Sequence, residues 1–388
     1  MNAIDKLIEE LCPDGVPFLP ISELCTTFSG GFIKKTKQDD DFEYPVYNGG
    51  VGPTGYYNEF NSPADSIAIS GRGSIGFVNW VSTKFWAGNS CHVVTSNVKN
   101  LSNKYLYYYL KHNEQNLIAL KNTGSIPALN LGPLISFLIA VPPIEIQNEI
   151  VKILDMFSEL EAELEAELEA RKKQYSFYRF KLVDNNKSKT VKLKDVTEAT
   201  FWIMPSTPTY DESEGIAYIT SKNLSKGSID FKASKRISKN SYDDITKNRP
   251  IKEDDLLIGM IGTIGEIARV KKSDLPFYGQ NMYLVRFDQK QIDINYFLHY
   301  FDSELMKDYF NSIKNNSAQG YLKAEHIDEI LIPLPPLNKQ KEIAGVLDTY
   351  SDLINNISIG LPAELIARRK QYEYYRDKLL TFKELESA

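Results

Sequence analysis

The run Gly71-Arg72-Gly73-Ser74-Ile75-Gly76 spells G-x-G-x-x-G, the spacing that seats a dinucleotide pyrophosphate at a helix N-terminus. That chemistry needs a strand before the glycines and a helix after them. Ser66 to Ser70 reads as a strand, but Phe77 to Val81 reads as a second strand. A hairpin turn with glycines at positive φ is therefore predicted. Gly262-Thr263-Ile264-Gly265 stands in an equivalent setting, between Leu256-Leu257-Ile258 and Ile267-Ala268-Arg269-Val270. An arginine at such a tip, Arg72, has the donors to reach a nucleic-acid groove or phosphate.

The other reactive side chains form no catalytic set. There is no G-x-x-x-x-G-K-[ST] loop to cradle phosphates. His92, His112, His299 and His326 share no metal-ligand spacing, and Cys91-His92 reads as an isolated core pair. No E-x-K tripeptide occurs, and neither Pro-Pro pair follows Asn or Asp, which argues against a restriction nuclease and an amino-methylating DNA methyltransferase. Asn recurs near turns, as in Asn48-Gly49-Gly50 and Asn122-Thr123-Gly124-Ser125. Asn reads adenine bidentately in a major groove. An AT-rich coding sequence enriches Asn equally well.

The elements that would position these residues come in duplicate. Val141-Pro142-Pro143-Ile144-Glu145-Ile146-Gln147-Asn148-Glu149-Ile150 returns as Leu334-Pro335-Pro336-Leu337-Asn338-Lys339-Gln340-Lys341-Glu342-Ile343. Arg171-Lys172-Lys173-Gln174-Tyr175 returns as Arg368-Arg369-Lys370-Gln371-Tyr372, after four further residues have entered the second copy. Upstream, Tyr105 to Tyr109 resembles Tyr296 to Tyr300, and Asn89 falls opposite Asn281. The chain reads as two α/β units, each followed by a long helix.

Each helix carries a seam of alternating four- and three-residue steps, the heptad pattern of a coiled coil. The first runs through Ile150, Leu154, Phe157, Glu161, Leu164, Leu168, Arg171 and Tyr175. The second runs through Ile343, Leu347, Tyr350, Ile354, Ile357 and Leu361, then resumes at Leu365, Arg368 and Tyr372 after a stutter where Pro362, beside Gly360, is expected to break or kink the helix. Two seams of equal phase predict that the helices pair, and they must run antiparallel if the α/β units are to sit at opposite ends. Arg171 and Arg368 occupy equivalent seam positions where an apolar residue is expected, which predicts a register-setting role.

Composition sets outer bounds. The chain has 388 residues, 42% of them apolar and 25% charged, which suits two ordinary globular domains. Its apolar runs are too short to span a bilayer, and its N-terminus lacks the apolar core of a signal peptide. Three cysteines without C-x-x-C spacing suggest a reducing cytoplasm. The net charge is −6, and no segment is strongly basic, with 10 basic against 12 acidic residues over 1–143 and 21 against 22 over 184–336. A protein held on DNA mainly by phosphate neutralisation would look different.

These residues carry a family resemblance. Two α/β units, each closed by P-P-[IL]-x-x-Q-x-E-I and a long helix ending in R-[KR]-K-Q-Y, resemble the specificity subunit of type I restriction–modification systems. Cys12-Pro13-Asp14-Gly15-Val16 also looks like that family's opening. The resemblance implies an α/β (α+β) fold: two similar target-recognition domains related by pseudo-two-fold symmetry, joined by two long antiparallel helices in a coiled coil. It divides the chain into an N-terminal helix with the first recognition domain (1–143), a central helix (144–183), the second recognition domain (184–336) and a C-terminal helix (337–388).

The same resemblance implies a non-catalytic subunit that reads a bipartite, asymmetric target in double-stranded DNA. Its partners would be two modification (methyltransferase) subunits and, through them, restriction (translocase/nuclease) subunits. S-adenosylmethionine, ATP and Mg²⁺ would belong to those partners, with no cofactor in this chain. By repeat position and chemistry, the candidates for DNA contact are Asn48, Arg72, Ser74, Ser125, Ser221, Lys222, Thr263 and Gln319. The alternative reading is a pseudo-dimeric scaffold that binds proteins and does not read DNA. A gel shift with and without co-purified methyltransferase separates the two.

Overall fold

The computed structural model describes residues 3–123, 126–184, 188–206, 208, 210, 215–225, 227–232, 234–262, 264–316, 321–356 and 359–385. Ser125, Thr263, Gln319 and Ile357 lie outside the described residues. The chain forms two compact units, residues 1–165 with 364–388 and residues 166–363.

Strand Ser66–Ser70 shows how the first unit is built. All five of its residues are buried. Alternate side chains on a strand point to opposite faces, so such a strand must be covered twice. Ile67 and Ile69 enter a core with helix Asn103–His112, while Ala68 enters a second cluster with Val81, Phe85 and Val93. The strand lies inside a four-stranded antiparallel sheet, ordered Cys25–Ser29, Cys91–Ser96, Ser66–Ser70, Val78–Val81. A three-stranded sheet of Tyr56–Tyr57, Tyr44–Tyr47 and Trp86–Ala87 completes the β structure of this region.

The second unit repeats the plan with different residues. Its four-stranded sheet runs Thr197–Ile203, Met282–Phe287, Leu256–Gly259, Ile267–Arg269. Leu256 and Ile258 enter the helical core, and Leu257 enters the opposite cluster. Its three-stranded sheet is Lys235–Ile237, Ile216–Thr220 and Phe277–Gln280. In each unit a short strand beside the Pro-Pro segment closes on one near the start of the domain, Leu138–Ala140 on Phe18–Pro20 and Leu331–Pro333 on Thr190–Lys192.

The central helix, Ile144–Arg179, is 36 residues long and rich in Leu, Glu and Ala, all strong helix formers. Its burial follows the expected seam. Ile150, Leu154 and Tyr175 are buried, and Phe157, Leu164, Leu168 and Arg171 are half-buried between exposed neighbours. In the first unit Phe157 stacks on Tyr375 with ring centroids 5.4 Å apart, and Arg369 bonds Glu161 and Glu165. Positions rise along one helix as they fall along the other, so the pair is antiparallel. In the second unit Tyr178 stacks on Tyr350 at 5.6 Å, and Ile343, Leu347, Tyr350 and Leu168 share one core.

One seam expectation is met and one is corrected. The stutter is a full break, with one helix over Leu337–Asn355 and a second over Leu361–Leu379. A Cβ on Gly360 would lie 2.5 Å from the Leu353 carbonyl oxygen and 2.7 Å from that of Asp352, so only glycine permits this approach. Pro362 falls in the first turn of the next helix, where its missing N–H costs nothing. The correction concerns Arg171 and Arg368. Arg171 bonds Glu167 and Gln174, and Arg368 bonds Glu364 and Gln371, all on their own helices. Both side chains are 40% exposed. The cross-helix arginine of the first unit is Arg369, one residue along.

Exposed same-helix pairs contribute about 0.3–0.5 kcal/mol each. The double variant Arg171→Leu with Arg368→Leu should therefore unfold within about 1 kcal/mol of the parent in a urea titration. A loss of several kcal/mol would show that these arginines do cross between helices.

Candidate nucleic-acid interface

The same glutamine geometry occurs in both units and ties each domain helix to the long helix. Gln147 is fully buried. Its side-chain N–H groups donate to the carbonyls of Asn100 (2.8 Å) and Pro142 (2.7 Å), and its Oε1 accepts from the Ser102 backbone N–H at 2.9 Å. Ser102 in turn caps helix Asn103–His112 through its hydroxyl. Gln340 repeats this clamp, donating to Gln291 (3.0 Å) and Pro335 (2.8 Å) and accepting from Asp293 at 2.8 Å. Asp293 caps helix Ile294–Phe301. The duplicated Pro-Pro/Gln element is thus a joint between the long helix and the domain helix.

The G-x-G-x-x-G run is the expected hairpin tip, between paired strands Ser66–Ser70 and Val78–Val81. Gly73 and Gly76 have φ of +72° and +80°. Gly71 N–H donates to Ser90 O (2.8 Å), Leu129 N–H to Gly71 O (2.9 Å), and Gly76 N–H to Ser70 O (2.8 Å). In the second unit, Met260 N–H donates to Asn281 O (3.1 Å), Leu322 N–H to Met260 O (2.9 Å), and Gly265 N–H to Gly259 O (3.2 Å). The two tips are held by the same three bonds. Ser90, rather than Asn89, is the structural counterpart of Asn281.

The candidate residues divide by what they already bond. Asn48, Arg72 and Ser74 come together, because Ser74 N–H donates to Gly49 O at 2.9 Å and Ser70 Oγ donates to Gly50 O at 2.8 Å. Arg72 is exposed, and its guanidinium has no partner among the described residues. Asn48 is a correction in part: its Oδ1 accepts from Ser90 N–H at 3.1 Å, so half of the carboxamide holds a turn. Ser221 is a fuller correction. It is 3% exposed, and its hydroxyl donates to the Ile261 carbonyl. Lys222 beside it is exposed on the short turn Ser221–Asn223.

The region offers little to catalysis. His92 Nε2 lies 2.7 Å from Leu129 O and must donate to it, so Nδ1 accepts from Ser29 Oγ at 3.0 Å. Burial pushes the Cys91 thiol up to about 12, far from a reactive thiolate. No cluster of three or more His, Cys, Asp or Glu side chains fit to hold a metal occurs among the described residues. The arrangement is two exposed hairpin tips on rigid, doubly covered sheets, which suits recognition.

The family model for the type I restriction modification DNA specificity domain matches residues 13–170 and 185–366. The chain belongs to this family. A Haemophilus influenzae protein named as a type I restriction enzyme specificity subunit is 29% identical over 362 residues, covering 87% of this chain and 88% of that one. The crystal structure of a Mycoplasma genitalium type I S subunit matches with a TM-score of 0.61 at 18% identity, over 94% of this chain and 96% of the other. A chain from a structure on complex assembly and conformational transition of the type I system also gives 0.61, at 16% identity over 95% and 98%.

Membership gives the duplicated tips their meaning, since the family's domain is a DNA specificity domain and it occurs here twice. Sequence reading missed Ile261 at the second tip, which lines an open cleft with Trp202, Met204 and Tyr321. The signal was present in the repeat, because aligning Gly73 with Gly262 sets Arg72 opposite Ile261. Among the described residues no helix is long and apolar enough to cross a membrane.

Proposed function

We propose that each unit reads one half of a split target in double-stranded DNA, that the halves differ, and that the chain positions modification and restriction subunits on that target. The carrying observation is the duplicated sheet and tip, built alike but bearing different side chains. A solved structure of similar fold concerns assembly of the type I system, which supports the partner reading. Chemistry would then reside in the partners, with S-adenosylmethionine, ATP and Mg²⁺ bound there and none in this chain. An overall charge of −6 fits a subunit whose partners supply much of the phosphate contact. Arg72, Ser74, Lys222 and the Asn48 amide are the described polar groups proposed to approach the bases; Ser125, Thr263 and Gln319 are proposed from the sequence alone.

Exchange of units tests this. A chimera joining residues 1–143 to the second half of a related subunit should retain this chain's first half-site when its methylated sites are mapped. New sequence on both sides would refute modular reading. Specific retardation of DNA by the complex with methyltransferase supports the partner assignment, whereas methylation by the isolated chain would refute a non-catalytic role.

A further inference from the structure

The two hairpin tips share their backbone bonding, so the residue each presents at one position can be compared directly. In the first unit that residue is Arg72, exposed and cationic. In the second it is Ile261, 37% exposed. Ile261 does not stand alone. With Trp202, Met204 and Tyr321 it lines an open cleft of about 490 Å³. Met204 is 60% exposed there, so its apolar surface is open to a ligand. Tyr321 is fixed beside the tip by a backbone bridge to Ile261.

We propose that this cleft receives the 5-methyl group of a thymine in the second half-site, an inference that rests on the DNA-reading function proposed above. In the major groove, thymine alone presents a methyl group, and it carries the O4 acceptor next to it. An open apolar cleft beside the tip complements that methyl group, the one apolar feature a base edge offers in the groove. It does not complement guanine, which presents two acceptors and is the usual partner of arginine. One substitution at a common backbone position thus gives the two units opposite base preferences: the first tip a guanidinium, the second an apolar surface.

The test uses the complex with its methyltransferase subunits, on a target first defined by binding selection from random DNA. Each thymine of the second half-site, on either strand, is then replaced by uracil, which removes only the methyl. Burial of one methyl-sized group is worth about 0.8 kcal/mol, so one such position should weaken binding about fourfold. That fourfold difference should vanish in Ile261→Ala and shrink in Met204→Ala. Repeating the selection with Ile261→Arg should shift that position from thymine towards guanine and leave the first half-site unchanged. Normal sequence-specific binding with no uracil-sensitive position in the second half-site overturns the proposal and leaves the DNA-reading function standing. An undiminished uracil effect in both alanine variants does the same. A parent complex that prefers no sequence overturns the functional reading, and this proposal with it.

Discussion

Gln340→Ala should destabilise the second unit by about 3–5 kcal/mol, and Gln147→Ala should do the same to the first. Each substitution orphans one buried carbonyl, at about 1–3 kcal/mol, and removes two part-buried bonds worth about 0.5–1.5 kcal/mol each. The bonds carry more than their own energy, since the accepting Oε1 fixes Ser102 or Asp293, the residue that caps the neighbouring domain helix. Glutamate should not substitute. It keeps the acceptor but turns an oxygen toward two carbonyls and buries a charge. Denaturant unfolding is the measurement, with Lys339→Ala, a neighbour whose side chain is 49% exposed, as the control expected to change by less than about 0.5 kcal/mol. The two glutamines lie in separate units, so their losses should add. A shift under about 1 kcal/mol for either would mean that water replaces the amide and the clamp is not a joint.

That clamp also shows where reading the sequence stops. The repeated Pro-Pro/Gln/Glu-Ile element was legible because it is a local pattern seen twice, and it led to the family. Why glutamine stands there was not legible, because two of the three groups it bonds in each copy lie 45 to 49 residues away. The same limit explains Asn48 and Ser221. Both read as polar turn residues, yet one is held by a backbone N–H 42 positions on and the other by a carbonyl 40 positions on. The hairpin tips were recoverable, since strand–glycine–strand order rejects a helix on local grounds. The seam was legible as a period, and the burial of Ile150, Leu154 and Tyr175 follows it. Heptad phase could not say which of two adjacent arginines crosses to the partner helix. Arg369 does so because Glu161 and Glu165 stand opposite it, a fact of packing rather than of period.

Insertion of one further Leu-Glu-Ala-Glu unit into Leu160–Ala170 is expected to lengthen the unread DNA between the half-sites by one or two base pairs. The stretch is helical throughout and mostly exposed, with Leu160, Glu161, Leu164 and Leu168 half-buried. The division between the two units falls at Glu165 and Ala166, inside this repeat. An insertion there leaves the seam contacts of Phe157 in one unit and Tyr178 in the other intact, so both units should keep their stability. Four residues add ~6 Å along a helix and turn it through ~400°, or ~40° beyond a full turn. One base pair adds ~3.4 Å and turns the duplex by ~35°. The rise alone would favour two base pairs and the rotation alone would favour one, which is why the expectation spans both and stops there. Methylation mapping in a strain carrying the insertion decides the matter: the same two half-sites should appear with a longer gap, and methylation at the original spacing should fall away. Normal methylation at the original spacing would mean that the central helix does not measure distance, whatever the recognition domains read.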